Sequence, residues 1–213
     1  AQEQKALKTK SSPLPASPSG EEKKNSLPLG RVGAGLLPPF GEGWGGAAWL
    51  RTNVIEQKQK GFYAVQIKIH LGDLSTEKAR LLAPIVQQYA ADDIRVTVNQ
   101  GLLLKLIRPE HLPAVYEALA AVGLADPGFD STADVKACPG TDTCNLAITS
   151  STGISAELER VMNEEYPDLV YNQDIKIKIS GCMNGCGQHS ICQIGFHGSS
   201  IKKGAAVLPA VQV

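Results

Sequence analysis

The chain has 213 residues, and its 21 Lys plus Arg balance 21 Asp plus Glu, so the formal net charge is zero. That argues against a partner held by bulk electrostatics, such as nucleic acid or an anionic membrane. Hydrophobic residues at 43% and aromatics at 5% are ordinary for a soluble globular protein, and no apolar run approaches the ~18 residues a bilayer span needs.

Residues 1–10 are polar and carry no signal-peptide pattern. Ser11 to Asn25 is rich in Ser, Pro, Glu and Lys, with little to bury. Residues 1–46 therefore read as a flexible tail or linker. A start at Ala1 instead of Met fits a piece of a longer protein.

From Arg51 the pattern changes. Val65, Ile67 and Ile69 alternate with Gln66, Lys68 and His70, which predicts a half-buried strand. Ser75 to Tyr89 predicts a helix with Ala79, Leu82, Val86 and Tyr89 on one face, kinked or ended early by Pro84. Ile94, Val96 and Val98 alternate with Arg95, Thr97 and Asn99, a second strand. Asn99-Gln100-Gly101 signals a tight turn, and Leu102 to Ile107 a third strand. Pro109 opens a helix that Gly123 closes. The order β-α-β-β-α over residues 47–126 predicts a ferredoxin-like half-unit and an α+β fold class.

Residues 127–213 read as a second, α/β domain. Ser155 to Glu165 predicts a helix, and Ile175, Ile177 and Ile179 a strand that runs into Gly181-Cys182. Lys176 and Lys178 read as that strand's wet face. Ile191 to Phe196, including Cys192, and Ala206 to Val213 predict further strands, the last ending in mid-strand as though the domain were truncated.

All five cysteines lie in this second region, and an odd number without a secretory signal fits a reducing, cytoplasmic setting. Four form two motifs, Cys138-x5-Cys144 and Cys182-x3-Cys186, both in Gly-rich turns. Four thiolates from two loops can enclose one zinc ion or one [4Fe–4S] cluster. Zinc knuckles usually use shorter or four-residue spacings, so these spacings favour the cluster over zinc, and both over cysteines buried without metal. Cys192 falls outside the motifs and reads as a small buried side chain.

The stretches Ala137 to Leu146 and Ser180 to His189 resemble the two cluster motifs of the siroheme-dependent nitrite and sulfite reductases. Arg51 to Val54, Leu71 to Leu74 and Arg95 to Gln100 resemble that family's second ferredoxin-like half-domain. The resemblance implies that Cys138, Cys144, Cys182 and Cys186 ligate a [4Fe–4S] cluster, and that Cys186 also bridges to the siroheme iron. Siroheme carries eight carboxylates, so its pocket needs polar and cationic donors. Arg51, Asn53, Arg95, Thr97, Asn99, Gln100, Asn145, Asn184 and Gln188 are the candidates. Arg95, Thr97 and Asn99 stand two apart and so share one strand face.

The activity so implied is six-electron reduction of nitrite to ammonia, fed by ferredoxin or a reductase partner. Alternatives are sulfite reduction to sulfide, a cobalamin-pathway oxygenase that keeps the cluster but not siroheme, and a non-enzymatic cluster- or zinc-binding module. The contexts around Cys144 and Cys186 look nearer to bacterial nitrite reductases. The family's substrate cations lie largely in a first half that nothing in residues 1–51 matches, so this chain alone is expected to be inactive. Among other residues, His189 follows the cluster loop and could donate to a cofactor or serve the fold. His70, His111 and His197 have no site-like spacing. Trp44 and Trp49 sit in a Gly-rich stretch and read as packing onto an absent neighbour.

Overall fold

Short runs rich in Val, Ile and Leu build the first sheet. The computed structural model describes residues 46–213; the expected tail up to residue 45, with Trp44, lies outside them. A short helix α1 (Ala47–Asn53) leads into β1 (Val54–Glu56) and β2 (Tyr63–Ile67). Helix α2 (Thr76–Tyr89), β3 (Ile94–Val96), β4 (Leu102–Ile107) and α3 (Leu112–Ala121) follow. The strands form an antiparallel sheet in the order β1-β2-β4-β3. The expected β-α-β-β-α unit is thus present, extended by α1 and β1. Val65, Ile67 and Leu104 from the sheet, and Leu82, Val115 and Leu119 from the helices, share one core.

Three expectations change here. Trp49 is fully buried, its ring 5.3 Å from that of Tyr116; α1 folds it into this chain's own core instead of leaving it for a neighbour. Helix α2 runs through Pro84 without ending. Arg80, whose carbonyl loses its donor to the proline, is exposed, so water can satisfy that carbonyl, while Leu82, Ile85 and Val86 anchor the helix on both sides of the proline. Strand β3 is an edge strand and stops at Val96, with Val96 83% and Val98 73% exposed. On the same side Ile94 is partly covered, at 38% exposed, so the exposure grows toward the strand's end.

The start of α2 is fixed by Ser75, whose hydroxyl accepts the N–H of Lys78 at 3.2 Å. Ser75→Ala should lower stability by about 1 kcal/mol, read as a shift in the urea midpoint; an unchanged midpoint would mean the cap is idle.

The second sheet comprises β5 (Lys136–Ala137), β6 (Ile177–Ser180), β7 (Ile194–Lys203) and β8 (Ala206–Gln212), in that order. The first three strands are parallel, and β8 returns antiparallel beside β7. Helix α4 (Ser151–Glu165) begins four residues before its expected start because the Ser150 hydroxyl caps it, accepting from the N–H of Gly153 at 3.2 Å. Val135, Ala137, Ile177 and Ile179 pack with Ile154 and Leu158 of α4 on one face of the sheet. Cys192 precedes β7 instead of lying within a strand, with its thiol donating to the carbonyls of His189 and Ile194. No helix among the described residues is long and apolar enough to cross a membrane.

Parallel pairing fixes the location of the cysteines. Cys138 directly follows β5, and Gly181-Cys182 directly follows β6, so both loops leave the same edge of the sheet.

Candidate functional site

The two cysteine loops are tied together at their bases. Cys138 N donates to Ile179 O at 3.1 Å, and the buried Cys138 Sγ accepts the N–H of Gly181 at 3.1 Å. Gly181 O in turn accepts from Ile148 N at 2.8 Å and Thr149 N at 3.2 Å. The Ser151 hydroxyl donates to Cys138 O at 2.7 Å. The close approach of the loops requires glycine: a Cβ on Gly181 would stand 2.8 Å from the Cα of Gly140. Further along, the Ser180 hydroxyl accepts from Gly187 N at 3.0 Å and meets His189 Nδ1 at 2.9 Å, bracketing the Cys182–Cys186 turn. The His189 ring lies 5.0 Å from that of His197.

Cys138 is buried, Cys182 half-buried, and Cys144 and Cys186 are exposed. Among the described residues no three His, Cys, Asp or Glu side chains converge to hold a metal ion. The sulfurs therefore do not close on one point. As a donor set they fit an iron–sulfur cluster: four soft ligands on two glycine-lined loops, one sulfur already receiving a backbone N–H.

The polar candidates divide sharply. Asn99, Gln100 and Gln188 are brought to the cysteine edge. Gln100, at φ +56°, donates its side-chain amide to Ala137 O at 2.7 Å and accepts Ala137 N at 3.3 Å, beside Cys138. Lys178 Nζ donates to Asn99 Oδ1 at 3.3 Å and Gln188 Oε1 at 2.6 Å. Thr97 uses its hydroxyl to accept Gly101 N at 3.1 Å and so closes the turn. Arg95 is exposed, its nearest ionic partner Asp93 at 4.0 Å. Asn145 and Asn184 are exposed on the two cysteine loops. Arg51 is exposed on α1.

Asn53 is not available as a cofactor donor. It is fully buried, its amide donates to Gln66 O and Asp126 O at 2.9 and 3.0 Å, and its oxygen accepts from Thr52 Oγ1 and Phe129 N. Its role is to stitch the chain.

Lys178 is the residue that sequence reasoning missed. Its alternation with Ile177 and Ile179 is real, but the supposed wet face is covered, and it is only 8% exposed. Lys176 is half-buried and pairs with Asp130 at 2.9 Å. A signal was present: the strand leads directly into Gly181-Cys182, so its second face was bound to meet the site.

A buried charge cluster lies behind β5. Lys136 Nζ pairs with Asp134 at 2.6 Å, and Lys68 lies 3.9 Å from the same carboxylate. Glu159 of α4 accepts the N–H of Val135 at 3.0 Å and meets His70 Nδ1 at 3.0 Å. Burial pushes the Lys136 ammonium pKa down, opposed by Asp134. Burial pushes the Glu159 carboxyl up, opposed by Lys68 and His70. A raised carboxyl means the folded state binds the Glu159 proton more tightly than the unfolded chain. Stability from that proton is complete below the usual glutamate value of 4.5 and is lost as pH rises through the folded value. Glu159→Gln should remove this loss, so the variant gains on the parent as pH rises above that value. Urea midpoints across the range check it, and a constant difference between the two proteins would count against it.

Comparison with known proteins matches residues 55–122 to the nitrite/sulfite reductase ferredoxin-like half domain. An uncharacterized protein of Methanocaldococcus jannaschii, MJ0551, is 30% identical over 69% of this chain and 51% of its own length. A ferredoxin–nitrite reductase of Synechococcus elongatus is 25% identical over 74% of this chain and 30% of its own. The solved structure of the Mycobacterium tuberculosis NirA protein superposes with a TM-score of 0.60 at 27% identity, covering 76% of this chain and 30% of that one. The chain thus spans about half or less of the length of these relatives.

Proposed function

Since this chain belongs to the nitrite/sulfite reductase family, we propose that it forms the cluster- and siroheme-holding part of an enzyme that reduces nitrite to ammonia. The observation that carries the reading is the pairing of the two cysteine loops on one edge of a parallel sheet, tied through Cys138, Ile179 and Gly181. Cys138, Cys144, Cys182 and Cys186 would hold a [4Fe–4S] cluster, and Cys186 would also join it to the siroheme iron. When bound, the two groups supply stepwise electron delivery to a single iron. The chain's own contribution is to place them: Ser180 fixes the Cys182–Cys186 turn, and Gln100 fixes the strand that presents Cys138. Nitrite is favoured over sulfite by the context of Asp142-Thr143-Cys144-Asn145 and Cys186-Gly187-Gln188-His189.

Anaerobic reconstitution with iron and sulfide tests the cofactor reading. The expected product is a brown chain that develops a red-shifted haem band when siroheme is added. A colourless chain that takes up only zinc would overturn it. The substrate is tested on the full-length parent with reduced methyl viologen, where nitrite should give the higher kcat/KM; a preference for sulfite would reverse that choice. The 213-residue chain alone should form neither ammonia nor sulfide, because one half-domain leaves the cofactor and the anion without an opposing wall of donors.

A further inference from the structure

Three lysines are buried among the described residues: Lys105, Lys136 and Lys178. Lys105 pairs with Asp93 at 2.5 Å and Lys136 with Asp134 at 2.6 Å. Lys178 has no carboxylate partner among the described residues. Its ammonium rests on two neutral amide oxygens, Asn99 Oδ1 at 3.3 Å and Gln188 Oε1 at 2.6 Å. An ammonium has three donors, so one remains uncommitted. A buried cation without a counter-charge is strongly unfavourable unless an anion compensates it.

Its position narrows what that anion is. Lys178 pairs in register with Lys136 on one side and Gly195 on the other, so the neighbouring strands bring a bare backbone and a second cation, whose own partner Asp134 is already engaged at 2.6 Å. It lies two residues before Ser180 on the same strand face, and β6 then opens into Gly181-Cys182. Asn99 belongs to the turn between β3 and β4, and Gln188 follows the second cysteine pair. Neither amide nitrogen has an acceptor among the described residues. One ammonium and two amide NH2 groups therefore gather from three segments at the cysteine edge, a set that suits a carboxylate.

We propose that Lys178, seated by Asn99 and Gln188, is the cation that receives a carboxylate of the tetrapyrrole. The assignment rests on the siroheme reading above and adds a specific binding residue to it.

The test is titration of the full chain with uroporphyrin, a porphyrin with eight carboxylates, followed by tryptophan fluorescence, for the parent, Lys178→Met, Lys178→Arg and Lys176→Met. Lys178→Met should weaken binding roughly tenfold or more. Lys178→Arg should stay within a few-fold, and Lys176→Met should match the parent. Without porphyrin, Lys178→Met should melt at or above the parent's temperature, since an uncompensated buried charge has been removed. A parent chain that does not bind uroporphyrin would overturn the siroheme reading and this assignment with it. A parent that binds, with Lys178→Met binding equally well, would overturn the assignment alone; a lower melting temperature in that variant would then mark the lysine as a structural tie. A parallel titration with sulfite separates the remaining source of an oxyanion. Loss of sulfite binding with porphyrin binding intact would make Lys178 a substrate cation and overturn the carboxylate assignment.

Discussion

Cys186→Ser is expected to strip most of the iron from the reconstituted chain, while Cys192→Ser retains it. The contrast works because neither change should disturb folding much. Cys186 is exposed on a turn whose neighbour Gly185 sits at φ +74°, and its thiol makes no contact that stabilises the fold among the described residues. Serine there removes a soft ligand and little else, and a hard hydroxyl is a poor substitute for thiolate. Iron retention should fall by an order of magnitude or more with the melting temperature nearly unchanged. Cys192 is half-buried and donates to the His189 and Ile194 carbonyls, which a serine hydroxyl can also do. Its replacement should lower stability by about 1 kcal/mol and leave iron alone. Equal iron per chain in the two variants would remove Cys186 from the ligand set.

Gly187→Ala should be the most damaging single methyl group that can be added to the second loop. An added Cβ would stand 1.9 Å from Ile179 O and 3.0 Å from Ser180 Oγ. Both are fixed points: Ile179 is fully buried in the central strand β6, and Ser180 Oγ is the acceptor of Gly187 N. The methyl group cannot be accommodated by rotating a side chain, so the backbone after Cys186 must move. The expected loss is upwards of about 4 kcal/mol, with the cluster lost as well. Gly204→Ala offers the comparison. It takes φ +63° in the β7–β8 turn with nothing within 4 Å, so only the left-handed backbone opposes it, at about 1–2 kcal/mol. Urea denaturation of the two variants measures the gap. Similar midpoints would mean that the second cysteine loop yields freely.

Periodicity carried much of the fold. The alternation around Val65, and the apolar stripe of α2 through Leu82 and Val86, place both halves of the first core. Periodicity states which residues share a face; it does not state which face is covered. Lys178 and Val96 show the two directions of that gap. The lysine occupies the polar side of its strand, yet the turn around Asn99 and the loop around Gln188 close over it. Val96 occupies the apolar side of its strand, yet it stands in the open because β3 lies at the sheet edge. The strand β5 is two residues long and leaves no pattern at all; only its pairing with β6 reveals it. Among candidate site residues, the cysteine spacing and the Asn99–Gln100 turn stand out in the sequence because local chemistry defines them. Asn53 misled because an isolated polar residue near a strand looks the same whether it faces a ligand or holds the chain together.

The bonds of Asn53 also govern how this protein can be dissected. The turn Asp126-Pro127-Gly128 reads in sequence as a place to cut, but Asn53 reaches across it to Asp126 O and to Phe129 N, at 3.0 and 3.3 Å. Gly128 N donates to Thr52 Oγ1 at 2.7 Å, and Gln173 sends its amide to both Thr52 O and Phe129 O. A boundary drawn there separates buried donors from their acceptors, at about 1–3 kcal/mol for each group left unpaired. Expression of residues 47–126 alone would thus begin from a damaged core, and domain exchange with a relative succeeds only if the α1 segment travels together with the loop that it binds.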